Sequence, residues 1–519
     1  MNKLAQYLNQ HLAGEVVTQT SVLQRYANDH GPLAITPDMV AFPRTTSDLR
    51  KLLRFSWQLA DKGYSLSITP RGGGTSSNGS ALGGGVVVDT ARYMNTIYEV
   101  DSKQRLIRLQ PGATVTSLAS IMATHGLYTP QYDDELPQST IGGISAESHS
   151  VEGDDWIDQL EVVLANGDLM QTKRLSKREL NRKKGEQGFE ADIYRAVDAL
   201  IDDNKELIDQ LDTRSAAGYA AIQNVKKRDG SLDLTPLFYA SQGTLGIISE
   251  MIISGQAMPV ASSAVAIGFA EAATARDTLD DITKMSFSRV EYFDKTIIER
   301  ASKQGKSFDY LATDEQSPEV IILLWLDDTS TRARNKKQKK IEKILVKRDA
   351  KCVVANDIDN SDYASLLSLK TLGQLSSSNT ESVVPLASGM VIALEQFETF
   401  REGLAKLSAK HRLSLSLHGR PFENIWSVDA EVNMSSVGGK RALITMIDEV
   451  ATLASQCGGL ISGKYGEGRL QGYSVQRSLD KEIQELYAKI RKIFDPHTML
   501  NPGVKQATDI KELAKQLRR

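Results

Sequence analysis

The strongest constraint on this chain is a run of small residues, Arg71-Gly72-Gly73-Gly74-Thr75-Ser76-Ser77-Asn78-Gly79. It lies between Ser65–Pro70 and Val86–Asp89, two short apolar stretches that read as strands. Three adjacent residues without Cβ let backbone N–H groups approach an anion closely, and Thr75, Ser76 and Ser77 add hydroxyl donors. Arg71 adds positive charge, and Pro70 sets the entry. This is the chemistry of a pyrophosphate cradle. No Gly-Lys-Ser/Thr follows, so the segment is not a Walker loop, and a strand rather than a long helix comes next, which departs from G-x-G-x-x-G. A ligand-free glycine turn stays open for this segment alone.

Two weaker loops follow, Thr140-Ile141-Gly142-Gly143-Ile144 and Gln242-Gly243-Thr244-Leu245-Gly246-Ile247. The stretches around them read as α/β. Residues 39–43 are a predicted strand, and 48–62 a helix capped by Thr46 or Ser47. Residues 107–112 read as a strand, 115–124 as a helix, and 140–147 as a small-residue loop. Residues 160–172 read as a hairpin, with Asn166-Gly167 supplying positive φ angles. From about 256 the pattern changes to two β-α-β passes, which fit an antiparallel sheet in a ferredoxin-like α+β unit. The fold class is therefore α+β.

Composition removes several functions. Lys+Arg is 62 and Asp+Glu 65, a net charge of -3, which argues against nucleic-acid binding. Two cysteines, Cys352 and Cys457, exclude a disulfide framework and a four-thiolate iron–sulfur cluster within this chain. No stretch nears the roughly 20 apolar residues of a spanning helix. The N-terminus lacks the apolar core of a signal peptide, so a cytoplasmic location is expected. Two basic runs, 175–188 and 332–351, read first as solvated faces, with contact to an acidic partner or an anionic membrane as the alternative.

The three loops together resemble FAD-linked oxidoreductases of the vanillyl-alcohol oxidase / p-cresol methylhydroxylase type, in the branch of D-lactate dehydrogenase and glycolate oxidase. The matching segments are AFPRTTSDL (41–49), PRGGGTSSNG (70–79), LPQSTIGG (136–143), GTLGIISE (243–250), ESVVP (381–385) and FDPHTMLNPG (494–503). The resemblance implies a two-subdomain FAD-binding domain over 1–255, a cap over 256–474, and a segment 475–519 returning to the FAD domain. It implies that Pro70, Arg71, Gly72, Gly73, Gly74, Thr75, Ser76, Gly79, Thr140, Ile141, Gly142, Gly143, Gly243, Gly246, Ile247 and Asn501 contact FAD. Some such enzymes bond the flavin to a His or Cys. None lies within 70–85, and His149 reads as a surface residue, so non-covalent FAD is expected.

The same resemblance implies oxidation of a small hydroxy acid, D-lactate- or glycolate-like, or a related alcohol, by hydride transfer to FAD. Many relatives use a divalent metal held by a Gly-His…Asn-x-His segment and a Glu-His pair. Here His418 holds the first position, Trp426 falls near the second, and Lys464-Tyr465 replaces Glu-His. No catalytic metal is expected. Lys370 stands where relatives carry an arginine for the substrate carboxylate. His418, Lys464, Tyr465, Lys370 and Arg469 are thus the candidate catalytic set, with Arg420 a further anion-holding candidate. The electron acceptor is left open among a quinone, a cytochrome, an iron–sulfur subunit and oxygen, and a second copy of the chain is a candidate partner. Two alternatives remain: a non-catalytic FAD-binding subunit of a redox complex, and a non-redox flavoenzyme like the alkyl-dihydroxyacetone-phosphate synthases.

Overall fold

The computed structural model describes residues 3–129, 135–148, 156–312, 317–348, 351–355, 366, 368–376 and 381–518. The chain divides into two compact units, Met1–Met258 with Ser462–Arg518, and Pro259–Ile461. The return to the first unit thus begins at Ser462, earlier than the boundary expected at 475.

The first unit opens with strands β1 (Glu15–Val17), β2 (Met39–Phe42), β3 (Ile68–Arg71) and β4 (Val86–Asp89), in the order β1-β2-β4-β3. β4 is parallel to both β2 and β3. Parallel neighbours need a crossover, and the helix Thr46–Asp61 supplies it between β2 and β3. Its N-cap is Thr45, whose side chain accepts from the Asp48 N–H, rather than Thr46 or Ser47. Leu49, Leu52 and Leu53 pack from this helix onto Val86 and Val88 of β4 in one apolar core.

Strands β5 (Ile97–Asp101), β6 (Leu106–Leu109), β7 (Leu127–Tyr128), β8 (Ile157–Val163), β9 (Leu169–Gln171), β10 (Ile247–Ser254) and β11 (Gln256–Ala257) complete this unit. Five of them form an antiparallel sheet in the order β5-β6-β10-β8-β9. The turn between β8 and β9 has a positive φ only at Gly167, while Asn166 Oδ1 accepts the Asp168 N–H. A single left-handed glycine suffices there, so the expectation of two positive φ angles is corrected.

The second unit carries β12 (Ala261–Phe269), β13 (Arg289–Asp294), β14 (Val320–Asp328), β15 (Lys351–Ala355), β16 (Ser382–Val391), β17 (Ser414–Arg420) and β18 (Ile425–Val432). They form one seven-stranded sheet, β15-β12-β14-β13-β17-β18-β16, with every pairing antiparallel. This is the antiparallel α+β architecture read from the sequence. Among the described residues no helix is long and apolar enough to cross a membrane.

Candidate functional site

β3 ends at Arg71, and the chain then enters the glycine loop. Its glycines serve contacts between loops. A Cβ on Gly72 would stand inside 3.0 Å of Thr140 Oγ1, and one on Gly73 inside 3.0 Å of the Gln138 carbonyl oxygen. Gly74 has φ +68° and lies under the Arg71 guanidinium. That guanidinium donates to the carbonyls of Tyr26 (3.3 Å) and Asn28 (2.9 Å). Arg71 thus braces the loop against residues 26–28. Asp29 completes the brace by accepting the N–H groups of Gly31 (2.8 Å) and Gly79 (2.9 Å). Among the described residues, no protein acceptor meets the backbone N–H groups of residues 72–77. Consecutive unclaimed donors in a half-buried loop are what an anion requires.

The second segment is a helix, Ile141–Glu147, and not the loop expected from its glycines. Thr140 caps it, its Oγ1 accepting from the Gly143 N–H at 3.3 Å. Gly142 is needed because its Cα sits against Pro111. The helix delivers Glu147 to a junction that sequence reasoning missed. The Glu147 carboxyl accepts from Ser80 Oγ (2.8 Å), from Asn78 Nδ2, and from Gln242 Nε2 (3.2 Å to each oxygen). Burial raises its pKa to about 7 against these donors, which pull it down. The signal available in the sequence was one acid in an otherwise small and apolar stretch.

The third segment turns through left-handed backbone at Ala240 (φ 50°), Gln242 (φ 53°) and Gly243 (φ 69°). Positive φ at two non-glycine residues marks a loop over-determined by its surroundings. Gly243 lies against the Pro70 ring, and Gly246 against Val162 of β8. Ile247 begins β10 and is buried.

Residues 462–469 thread through this assembly. Gly468 donates to Gln242 Oε1 (3.0 Å), and Asn78 Nδ2 donates to the Gly466 carbonyl (2.7 Å). Glu467 and Lys505 form a pair with no exposed side-chain surface, at 2.8 Å. Lys464 is buried, its ammonium 5.2 Å from the centre of the Tyr465 ring. The Tyr465 hydroxyl donates to Glu135 Oε1 (3.1 Å).

Arg469 Nε donates to the Leu82 carbonyl (3.0 Å) and Nη2 to Asn501 Oδ1 (3.2 Å). Burial and the nearby Arg491 lower its pKa to about 10. Nε and Nη2 are thus engaged within the loop bundle. Asn501 is fully buried, and its amide donates to the carbonyls of Ser80 (2.7 Å) and Gln242 (2.8 Å). One side chain near the C-terminus therefore ties the first and third loops together.

His418 and Lys370 belong to the second unit. His418 lies on β17, its Nε2 3.3 Å from Asp429 Oδ2 on β18, and both side chains are buried. Neither of those two atoms makes an aligned hydrogen bond. Beside them, Asp294 accepts the N–H groups of Ile297 (3.1 Å) and Leu417 (2.7 Å). Burial raises the Asp294 pKa to about 6, while its amide bonds, His418 and Arg300 lower it. Lys370 lies on the helix Leu369–Gly373, which packs on the helix Lys295–Lys303 through Gly373 and Ile297. Arg420 donates to Glu423 at 3.2 Å. Among the described residues no three His, Cys, Asp or Glu side chains cluster as metal ligands. His149 lies outside the described residues.

Comparison with known proteins fits this geometry. Residues 37–173 match the FAD binding domain family, and residues 258–504 match the C-terminal domain of FAD linked oxidases. The chain carries both an FAD binding domain and an FAD linked oxidase C-terminal domain. It is 24% identical over 516 residues to a D-2-hydroxyglutarate dehydrogenase of Pantoea ananatis, covering 95% of this chain and 50% of that one. It is 24% identical to the glycolate oxidase subunit GlcD of Bacillus subtilis, covering 92% of this chain and 90% of that one. The chain spans about half the length of the D-2-hydroxyglutarate dehydrogenase it matches.

Two solved structures share the fold. One is a 4-ethylphenol oxidase from Gulosibacter chungangensis (TM-score 0.71, 15% identity, 97% of this chain and 96% of that one). The other is p-cresol methylhydroxylase (TM-score 0.68, 14% identity, 98% and 96%). The cofactor of this chain is FAD. The unclaimed N–H groups of 72–77, beside the hydroxyls of Thr75 and Ser76, fit its pyrophosphate.

Proposed function

We propose that this protein is an FAD-dependent oxidoreductase that oxidises a small hydroxy acid, holding FAD non-covalently and using no catalytic metal. The observation that carries the reading is the single loop assembly in the first unit. There the donor-rich loop 72–77 leads into residues 78–82, which Glu147, Arg469 and Asn501 hold, with Gln242 tied to Glu147 and Asn501. The names of the relatives, D-2-hydroxyglutarate dehydrogenase and a glycolate oxidase component, support a hydroxy acid as the substrate class.

FAD, when bound, supplies the two-electron acceptor. The protein must bind the substrate anion and take its hydroxyl proton. We assign the base to His418. The Asp429 carboxylate lies 3.3 Å from Nε2, close enough to orient the ring. Lys464 provides a buried ammonium at the position where relatives place metal-ligating side chains, and a fixed positive charge stabilises a developing alkoxide without an ion. Tyr465 is a proton-carrying group beside it. Lys370 is assigned to the substrate carboxylate, as a point charge rather than a fork. Arg469 is reassigned from substrate binding to positioning, because its donors hold Leu82 and Asn501.

The test is anaerobic titration of the purified yellow protein with a panel of 2-hydroxy acids. At least one should bleach the oxidised flavin band. A panel that leaves the band unchanged would remove the hydroxy-acid reading. Turnover of a phosphate ester without any electron acceptor would replace it by non-redox chemistry.

A further inference from the structure

The basic run in the second unit forms the helix Thr331–Arg348. Ile341 and Leu345 are buried on its inner side, where it packs on β14 and β12. At 3.6 residues per turn, Arg332, Lys336, Lys339, Lys340, Lys343 and Lys347 fall within an arc of about 100° facing away from that core. All six are exposed. They run along about 22 Å of helix. Among the described residues, none of the six is paired with a carboxylate. Lys337 and Arg334, outside the arc, are engaged with Asp328 and the Ser262 carbonyl. Glu342, the helix's single acid, also lies off the arc and takes Gln338.

A solvated helix face normally intersperses acids with bases. This one does not, in a chain whose net charge is -3. Exposed apolar side chains lie at the arc's edge and near the start of the helix. Val346 is 81% exposed at its edge. Val260 is 75% exposed, one residue before Ala261, which pairs with Asp328 just ahead of the helix. Five of the six cations are lysines, mobile point charges that lack the planar fork used to grip individual phosphates. A diffuse anionic surface with an accessible apolar layer suits lysines flanked by valines.

We infer that the exposed face of the helix Thr331–Arg348 docks the protein on an anionic lipid surface. The face is remote in chemistry from the hydroxy-acid reading and does not depend on it. A protein of net negative charge is repelled as a whole by such a surface, so the stripe also fixes which side approaches. A lipid-soluble acceptor of the quinone class would then be met at the same surface.

The test uses the FAD-loaded protein and vesicles of phosphatidylcholine, with or without about one third phosphatidylglycerol. The protein should sediment with the anionic vesicles at about 0.1 M salt, release at about 0.5 M, and ignore the neutral ones. The triple variant Lys336→Glu, Lys340→Glu, Lys343→Glu should bind at least tenfold more weakly while keeping its flavin content. Val346→Ser should release at lower salt than the parent. Equal binding to neutral vesicles, or undiminished binding of the triple variant, would overturn the inference. So would capture on soluble polyglutamate without vesicle binding, which would point to an acidic protein instead.

Discussion

Replacing Gly243 by alanine tests whether the glycines of the cofactor loops are there for packing. Gly243 has φ +69°, and a Cβ would stand inside 3.0 Å of the Pro70 ring, a rigid group at the loop entrance. Two costs add. Left-handed backbone costs an alanine about 1–2 kcal/mol. Forcing a methyl into a filled site costs about 1–3 kcal/mol more. The sum is about 2–5 kcal/mol. Two controls separate the terms. Gly63 has φ +81° with nothing within 4 Å of its Cβ, so Gly63→Ala should show the backbone cost alone. Gly73 has no positive φ but faces the Gln138 carbonyl, so Gly73→Ala should show the packing cost alone. At about 2–4 °C per kcal/mol, Gly243→Ala should lower Tm by roughly 4–20 °C, and the controls by less. Flavin retained after desalting is the second readout. Gly243→Ala and Gly73→Ala should lose it, and Gly63→Ala should keep it. If Gly243→Ala matches Gly63→Ala in both readouts, the packing argument for the loops is wrong.

Other outcomes follow from the polar groups. Burial raises Glu147 to about 7 and Asp29 and Asp294 to about 6. Their contribution is fully present below the unfolded carboxyl range and is lost as pH rises through 6–7. Flavin-free protein should therefore lose stability between about pH 4 and 7, by at most about 3 kcal/mol from Glu147, and urea midpoints for Glu147→Gln should flatten that slope. Lys505→Met leaves Glu467 buried without its cation and should cost about 3–5 kcal/mol by chemical unfolding. His418→Asn should reduce kcat about 10²–10⁴-fold in an acceptor-linked assay while flavin content stays unchanged. A variant with normal kcat would remove His418 as the base.

Much of the fold was legible because strands and helices here carry strong local patterns. The helix at 115–124 matches its expected bounds. The segment 140–147 was misread because Gly142 and Gly143 suggest a loop, whereas the Thr140 cap and close packing on Pro111 make a helix. The glycines mark the expected cofactor loops, but the contacts they make are loop-on-loop contacts that no local pattern reveals. The Arg469 side chain shows the same limit. A buried arginine in a candidate site can face a substrate or a carbonyl, and only the fold decides, here for Leu82 and Asn501. Glu147 was missed because its partners Asn78, Ser80 and Gln242 come from segments far apart in sequence.

Asn501 has a consequence for biosynthesis. Its amide closes on Ser80 and Gln242, so the first and third loops are joined by a residue translated hundreds of positions after the first. The chain emerges N-terminal end first, and the whole second unit is made in between. The second unit can therefore fold while the loops made before it still wait for their last tie. We expect stable cofactor loading only once Asn501 is in place, so nascent chains halted before residue 501 should fail to retain flavin.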